Sequence, residues 1–421
     1  MKHGSLLVAT FVLLAVTDSL WALQGPNDTN DLLQLQDYLK YASLNNAELK
    51  AGFEAWKAAI EQIPQAKSLD DPIFTYKIEE FSSSKQPDMQ KYGIEQMFPW
   101  FGTLKIRADI ASAQSKAVHK EYEAAKLKVF QQVKYAFYEY LYLKEAIDIA
   151  EENLQLLKNF EIIARTNYQT STANHPDVIR AQIELAELEN VLTSLQKLKT
   201  PTTVMLNASL NRPIELPLAW PQKPAITGIN IEQSKLIELV IDNNPQLQGM
   251  NWEIEAARSN VQLAKKKFYP NIGVGFEYVD RAEIGERGRT PLSLMFSVNI
   301  PLWQDNYKAA KRQAQATLNK SVQQKISFQN TTISQAMQVL YDYQDAQRKV
   351  KLYSDVLIPK TQELLLASES AYKSGKVDFL SLIDAQRTLL KYQLDYDRAL
   401  ADGQQKLAEL EMLAGTELAV K

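Results

Sequence analysis

The 421-residue chain has 14 glycines, no cysteine and a formal net charge of −3 at pH 7. The missing cysteines exclude disulfides, thiolate metal sites and a lipid-modified amino-terminal cysteine, and the weakly acidic balance excludes the electrostatic footprint of a nucleic-acid-binding protein. Few glycines and abundant Ala, Leu, Gln, Lys and Glu indicate long helices and an elongated molecule.

The amino terminus has the pattern of an export signal. Lys2 and His3 precede an apolar run over residues 6–16, a polar break at Asp18 and a cleavage site after Ala22. We therefore expect residues 1–22 to be a signal peptide. This run is too short for a membrane-spanning helix, and no later stretch approaches about 18 consecutive apolar residues. Any membrane crossing must then be made by strands.

The chain contains two copies of one unit. Residues 44–49 recur as residues 242–247, Pro72 falls on Pro270, and residues 98–100, 168 and 181–182 fall on residues 300–302, 372 and 385–386. The offset drifts only from 198 to 204 residues, so the two copies keep register. We assign residues 23–200 to the first repeat, the proline-rich residues 201–230 to an equatorial linker against the outside of the bundle, and residues 231–421 to the second repeat.

Each repeat contains two alternating segments, at about 73–98 and about 271–300, that predict a β-hairpin. Segments of this length match tilted transmembrane strands of about 9–11 residues. The apolar positions that we expect to face lipid are Phe74, Tyr76, Ile78, Ile272, Val274, Phe276, Leu294, Phe296 and Val298. Two soluble, half-buried hairpins are the alternative interpretation.

Four strands cannot close a barrel in lipid, because open edges leave backbone groups unpaired and barrels start at about eight strands. A dimer would supply eight strands and a trimer twelve.

Long helices follow each hairpin. No glycine or proline stands between Gly102 and Pro176, and apolar residues recur at helical spacing, which predicts a rod of roughly 100 Å. The second copy runs from about residue 307 to 372, where Pro359 should bend or locally open the helix. Return helices are expected over residues 177–199 and 379–412. Spacing alone does not distinguish these rods from an ordinary antiparallel coiled coil.

With these features in place, the chain resembles the TolC-like family of outer-membrane efflux channels over nearly its whole mature length. The most specific segment is residues 372–386, Tyr-Lys-Ser-Gly-Lys-Val-Asp-Phe-Leu-Ser-Leu-Ile-Asp-Ala-Gln, which is similar to the family's second helical turn and the helix after it. Residues 206–213, 413–415 and 98–102 resemble the ends of the two repeats and the strand-to-helix corner.

The resemblance implies a mainly α protein with a small membrane β-barrel. In this arrangement a homotrimer joins four strands per chain into a 12-stranded barrel in outer-membrane lipid, above a long antiparallel α-helical barrel in the periplasm. It also implies partners, namely a periplasmic adaptor and an inner-membrane transporter.

The resemblance further implies that the helix tips dock the adaptor, through Tyr168, Pro176, Asp177, Tyr372, Gly375, Lys376, Val377 and Phe379. The first turn departs from the family pattern, because residues 170–175 contain no glycine. Ser381 and Asp384 are candidates for the periplasmic gate. A helix-start carboxylate stabilised by the helix dipole is the alternative for Asp384.

The sequence contains few residues that could carry out catalysis. Only His119 and His175 remain in the mature chain, far apart in sequence, and no glycine-rich phosphate loop is present. We therefore expect no enzyme activity and no cofactor, and a passive conduit. The alternative hypothesis is an exported coiled-coil scaffold or adaptor-type interaction protein without a pore. A third hypothesis, an enzyme at the outer membrane, has less support from the sequence. Metal ions, drugs, dyes and polypeptides remain open as substrates, with a slight preference for metal-type pumps from the resemblance of residues 98–102.

Overall fold

The computed structural model describes residues 32–79, 89–170, 174–224, 228–281 and 292–418. The predicted signal peptide, 1–22, lies outside these ranges. The first repeat contains α1 (Leu35–Asn45), α2 (Ala47–Lys67), β1 (Ile73–Glu79), β2 (Met89–Phe98), α3 (Thr103–Gln169) and α4 (His175–Leu210). The second contains α5 (Gln233–Asn243), α6 (Pro245–Lys266), β3 (Ile272–Arg281), β4 (Leu292–Val298), α7 (Gln304–Leu352), a π-helical turn (Tyr353–Leu357), α8 (Ile358–Lys373) and α9 (Phe379–Ala414).

The duplicated Asn-Asn motif begins the second helix of each repeat. The Asn46 side chain accepts hydrogen bonds from the amides of Glu48 and Leu49, and the Asn244 side chain accepts one from Leu247. Each asparagine also donates from its side-chain amide to the end of its own repeat, Asn46 to the Ser209 carbonyl and Asn244 to the Leu413 carbonyl. One motif therefore caps a helix and ties the end of the repeat to its start.

The two hairpins form one antiparallel sheet in the order β1-β2-β3-β4. The hairpins join through β2 and β3, with Phe98 opposite Ile272 and Tyr92 opposite Tyr278. Among the described residues, β1 and β4 each pair with one strand, so they are the two edges of the sheet. The predicted combination of long helices with four strands is confirmed.

The helices form a wall one layer thick. Next to the sheet the neighbours run in the order α2, α3, α6 and α7, and further from it α4, α3, α9 and then α7 with α8. The long helix α3 therefore lies inside the wall at both levels, while α2, α4, α7 and α8 lie at its edges. Within the described ranges, none of the helices is long and apolar enough to cross a membrane.

Among the described residues, three large apolar clusters hold the wall together, and a smaller fourth cluster joins α3 to α6. One joins α1, α3 and the end of α4 around Tyr38 and Phe137, whose ring centroids are 5.3 Å apart. A second joins α5, α7 and α9 around Tyr343. The third lies at the far end of the rods, where α3, α4, α8 and α9 meet around Phe160 and Phe379.

The linker begins later than the sequence predicts, since α4 continues through Pro201 to Leu210. Proline cannot donate the amide hydrogen bond of its helical position, but Pro201 and Lys197, whose carbonyl would accept that bond, are both exposed. Water can therefore satisfy that carbonyl. Beyond Leu210 the chain lies along α3 and α9, where Tyr140 donates to the Leu218 carbonyl and Lys223 pairs with Glu145.

Pro359 opens its helix locally. It stands near the start of α8, directly after the π-helical turn. This turn contains no buried residue, and Tyr353 donates to the Asp395 carboxylate on α9 at 3.3 Å. The equivalent helix of the first repeat, α3, is a continuous α-helix of 67 residues.

Candidate functional site

One face of the sheet is apolar and exposed. Register places Phe74, Ile94, Phe276 and Leu294 in one row across all four strands. All nine predicted lipid-facing side chains lie on this face: Phe74, Tyr76, Ile78, Ile272, Val274, Phe276, Leu294, Phe296 and Val298. Phe296 is 68% exposed and Phe74 66%, while Ile272 and Val274 are half-buried between neighbouring strands. An apolar surface of this kind needs a partner or a lipid environment.

The opposite face of the sheet is mainly small or polar. One row contains Thr75, Gly93, Glu277 and Ser293, and the neighbouring row contains Glu95 with Gly275. Glu95 accepts a hydrogen bond from the Ser297 hydroxyl across β3. The sheet therefore has one face suited to lipid and one suited to water.

The turn between α8 and α9 is a complete helix C-cap. Gly375 adopts a left-handed conformation, with φ of 69°. Its amide donates to the Tyr372 carbonyl at 3.0 Å, and the Lys376 amide donates to the Ala371 carbonyl at 2.9 Å. This pair of bonds is the Schellman motif, which requires a residue that tolerates positive φ. Lys376 and Val377 then project into solvent.

We expect Gly375→Ala to destabilise this turn by about 1 kcal/mol, because an L-residue with a Cβ is strained in the left-handed region. A Cβ at this position would have no heavy atom within 4 Å, so backbone strain is the whole cost. Hydrogen exchange of the turn amides would measure the loss of protection. Gly375→Asn is the matched control and should cost less; equal exchange in glycine, alanine and asparagine proteins would contradict the assignment.

The ends of α3 and α4, on either side of residues 171–173, are capped differently. Thr170 caps α3, and its hydroxyl donates to the Thr166 carbonyl at 3.1 Å. On the other side, Asn174 precedes α4 and Pro176 stands in its first turn. The rings of Tyr168 and His175 are 5.2 Å apart, which brings the two helix ends together. Tyr168 and Pro176 are exposed, whereas Asp177 is half-buried.

Two of the predicted docking residues support the tip from inside. Tyr372 is 4% exposed and Phe379 0%, with ring centroids 5.2 Å apart. Burial raises the pKa of Tyr372 to about 12, and the nearby Asp177 carboxylate also raises it. The phenol therefore stays neutral at physiological pH. These aromatic side chains belong to the core of the tip because their helices converge on α3 there.

The predicted gate residues share one exposed face of α9. The Ser381 amide and hydroxyl both donate to Asp378, the N-cap of α9, at 3.0 and 2.6 Å. These bonds lower the pKa of Asp378, so the cap contributes stability above the pKa of a free aspartate and loses it as pH falls through the lowered value. Asp384 lies in the second turn of α9, beyond the first turn where the helix dipole acts most strongly. Asp384 is exposed to solvent, and its role at the gate stays a prediction.

Sequence reasoning missed the ion pair beside these residues. Arg387 donates to both carboxylate oxygens of Glu184 on α4, from Nε at 2.8 Å and from Nη2, and Glu187 lies 3.6 Å away. These hydrogen bonds and the carboxylates of Glu184, Glu187 and Asp384 raise the pKa of Arg387. The pair joins the tip of the first repeat to the tip of the second. Its partners are 203 residues apart, so no local pattern could have revealed it.

The chain is similar to known outer-membrane proteins in both sequence and structure. The model of the family described as "Outer membrane efflux protein" matches residues 38–212 and 236–416. The cobalt-zinc-cadmium resistance protein CzcC of Cupriavidus metallidurans is 20% identical over 405 residues, which cover 93% of this chain and 92% of CzcC. The outer membrane protein VceC from Vibrio cholerae superposes with a TM-score of 0.77 at 17% identity, covering 91% of this chain and 97% of VceC.

A structure of CusC, described for its transmembrane channel formation, also superposes with a TM-score of 0.77, at 14% identity and over 94% of this chain and 96% of CusC. At these identities the structural likeness shows the fold. Two family matches, one in each repeat, cover most of the chain. The chain therefore belongs to the outer membrane efflux protein family.

Proposed function

We propose that three copies of this chain form a passive conduit that connects a periplasmic adaptor and an inner-membrane pump to the cell exterior. As a member of this family, the protein is an outer-membrane channel component of an efflux system. Its helical rods extend from the sheet into the periplasm. The observation that carries the proposal is the amphipathic sheet with two open edges.

The open edges explain why several copies are needed. In lipid, the unpaired backbone groups of β1 and β4 would each cost several kcal/mol. Pairing β1 of one copy with β4 of the next removes both edges, and three copies give twelve strands. The apolar face then meets lipid and the polar face lines the pore. Two copies would give only eight strands, whose interior is filled by side chains.

The edge helices also support assembly. One face of α4 carries exposed apolar side chains at helical spacing, namely Ile179, Ile183, Val191 and Leu198. On the opposite edge of the wall, α8 exposes Leu364 and Leu366. Because α4 and α8 are the two edges of the wall far from the sheet, packing α4 of one copy against α8 of the next would bury the apolar face of α4 and close a helical barrel. Leu364 and Leu366 lie on either side of the buried Leu365, so this contact would cover one of them.

The helix tips are the proposed docking surface for the adaptor. Their exposed members are Tyr168, Pro176, Gly375, Lys376 and Val377. Tyr372 and Phe379 support the second turn from the buried cluster beneath it. Asp177, in the first turn of α4, lies near Tyr372. The described residues beside the first turn, Tyr168 and Pro176, differ in chemistry from Gly375, Lys376 and Val377 of the second turn, so each copy would present two distinct contacts to the adaptor.

Conductance in planar bilayers tests the proposal. The purified protein should be a trimer by native mass spectrometry and should insert to give discrete conductance steps. A folded trimer that gives no conductance would favour the pore-free scaffold instead. A water-soluble monomer would remove the basis for both the barrel and the assembly.

We further propose that the Arg387–Glu184 pair holds the tips in a closed arrangement, together with Ser381 and Asp384. Arg387→Gln should raise the resting conductance several-fold, because tips that are no longer linked separate more readily. The matched control is Arg258→Gln, since Arg258 pairs with Glu255 on its own helix, α6. Unchanged resting conductance in Arg387→Gln would remove the ion pair from the gate.

A further inference from the structure

The polar face of the sheet contains a floor made by two glycines of β3. Gly273 lies between Met97 and Ser297, and Gly275 lies between Glu95 and Met295, in adjacent rows of the sheet. Both glycines are buried. Because they have no side chain, the side chains of the neighbouring strands can lean over them from both sides.

Four side chains that carry ligand atoms lean over this floor. The Glu95 carboxylate reaches across Gly273 to the hydroxyl of Ser297. The Cε atom of Met97 is 3.4 Å from the point where a Cβ on Gly273 would stand, and the Cε atom of Met295 is 3.2 Å from the corresponding point on Gly275. The Cβ of Glu95 lies 3.4 Å from that second point, so Glu95 lies between the two methionines.

This donor set has a defined chemical preference. Two thioethers, one carboxylate and one hydroxyl combine soft sulfur with a single negative charge, and thioether ligands select Cu(I) and similarly soft ions. No histidine belongs to the group, and across the described ranges no three histidine, aspartate or glutamate side chains are grouped as metal ligands. Any selectivity at this place would therefore come from the methionines.

We propose that Glu95, Met97, Met295 and Ser297 form a weak transit site for a soft monovalent cation, Cu(I) or Ag(I), on the pore-facing side of the sheet. This inference rests on the proposed channel function, which makes the polar face the pore wall. The site lies where the strands continue into α3 and from α6, so a cation leaving the helical barrel would meet it on entering the strands. Three copies would place three such sites around one pore. Conduction requires weak binding, because an ion held tightly would not leave.

Silver binding tests the site with a probe that needs no reducing agent. Purified trimer in chloride-free nitrate buffer would be dialysed against Ag(I), and bound silver measured by mass spectrometry of the metal. The variant is Met97→Leu with Met295→Leu, which conserves volume and so should fold. We expect its silver affinity to fall by about tenfold or more. The matched control, Met205→Leu, removes an exposed methionine on α4 and should bind silver like the parent.

X-ray absorption at the silver edge separates ligation from a structural effect. The parent protein should show sulfur scatterers that disappear in the double variant and persist in Met205→Leu. Equal silver affinity in parent and double variant would overturn the inference. So would loss of binding in Glu95→Gln alone together with equally tight Zn(II) binding, because that result describes a carboxylate site with no preference for soft ions.

Conductance in the same variants keeps this inference apart from the channel proposal. We expect parent, Met97→Leu/Met295→Leu and Met205→Leu to give similar conductance for potassium. If the parent conducts but shows no methionine-dependent silver binding, the transit site fails and the channel stands. If the parent does not conduct, the channel proposal fails whatever silver does.

Discussion

Leu294→Arg should prevent the protein from accumulating as folded trimer in the outer membrane. Leu294 is 54% exposed in the central row of the apolar face, beside Phe276 and in line with Phe74. An arginine facing lipid near the bilayer midplane costs about 2–4 kcal/mol, and a trimer carries three of them. The measurement is the amount of folded trimer in outer-membrane fractions separated by density.

The control for this substitution is one residue away. Ser293→Arg introduces the same side chain on the same strand, but on the polar face, where Ser293 is exposed beside Glu277. It should reach the outer membrane at close to the parental level. If Leu294→Arg and Ser293→Arg accumulate equally, the apolar face does not contact lipid, and the orientation of the sheet in the proposed barrel is wrong.

Phe379→Ala should loosen the second helical turn. Phe379 is fully buried in the cluster that also contains Tyr372 and Phe160. Removing a buried phenylalanine side chain typically costs about 3–5 kcal/mol, from lost burial and the cavity left behind. Because the cluster lies at the end of the rods, the loss should appear first as local opening. Limited proteolysis near Lys376 should accelerate, and binding of the adaptor should weaken.

The neighbouring residue supplies the comparison. Leu380 is 49% exposed, so Leu380→Ala should leave the rate of proteolysis nearly unchanged. A Phe379→Ala protein with parental proteolysis and parental adaptor binding would show that the tip does not depend on this core. Faster proteolysis in both variants would instead indicate that the turn as a whole is marginally stable.

Most of the fold can be predicted from the sequence because its helical and strand patterns are long and occur twice. Two unbroken helical periods and two alternating segments predict rods and hairpins, and the duplication predicts that they occur twice. These expectations and the family are confirmed. The pairing of β2 with β3 could not be predicted, because register between two hairpins depends on which side chains meet across the sheet, such as Tyr92 and Tyr278.

The candidate site was less accessible to sequence reasoning. The family resemblance of residues 372–386 predicted the turn at Gly375, where positive φ favours glycine, but it could not distinguish exposed Val377 from buried Phe379 two residues later. The pairing of Arg387 with Glu184 depends on how α4 approaches α9. Likewise, Met97 and Met295 lean over the same pair of glycines only because of the register of β2, β3 and β4, which no local pattern reveals.

The π-helical turn at Tyr353–Leu357 makes the two helical hairpins of each copy mechanically unequal. A π-helical turn interrupts the i→i−4 hydrogen bonds of the α-helix around it and is a common site of helix kinks, and Pro359 removes a further amide from the ladder. The continuous α3 resists bending along its whole length. The segment formed by α7 and α8, in contrast, has a compliant joint at the π-helical turn, before the turn at Gly375. Force applied at the periplasmic end by a moving partner would thus be absorbed at this joint, and the second hairpin would be displaced before the first.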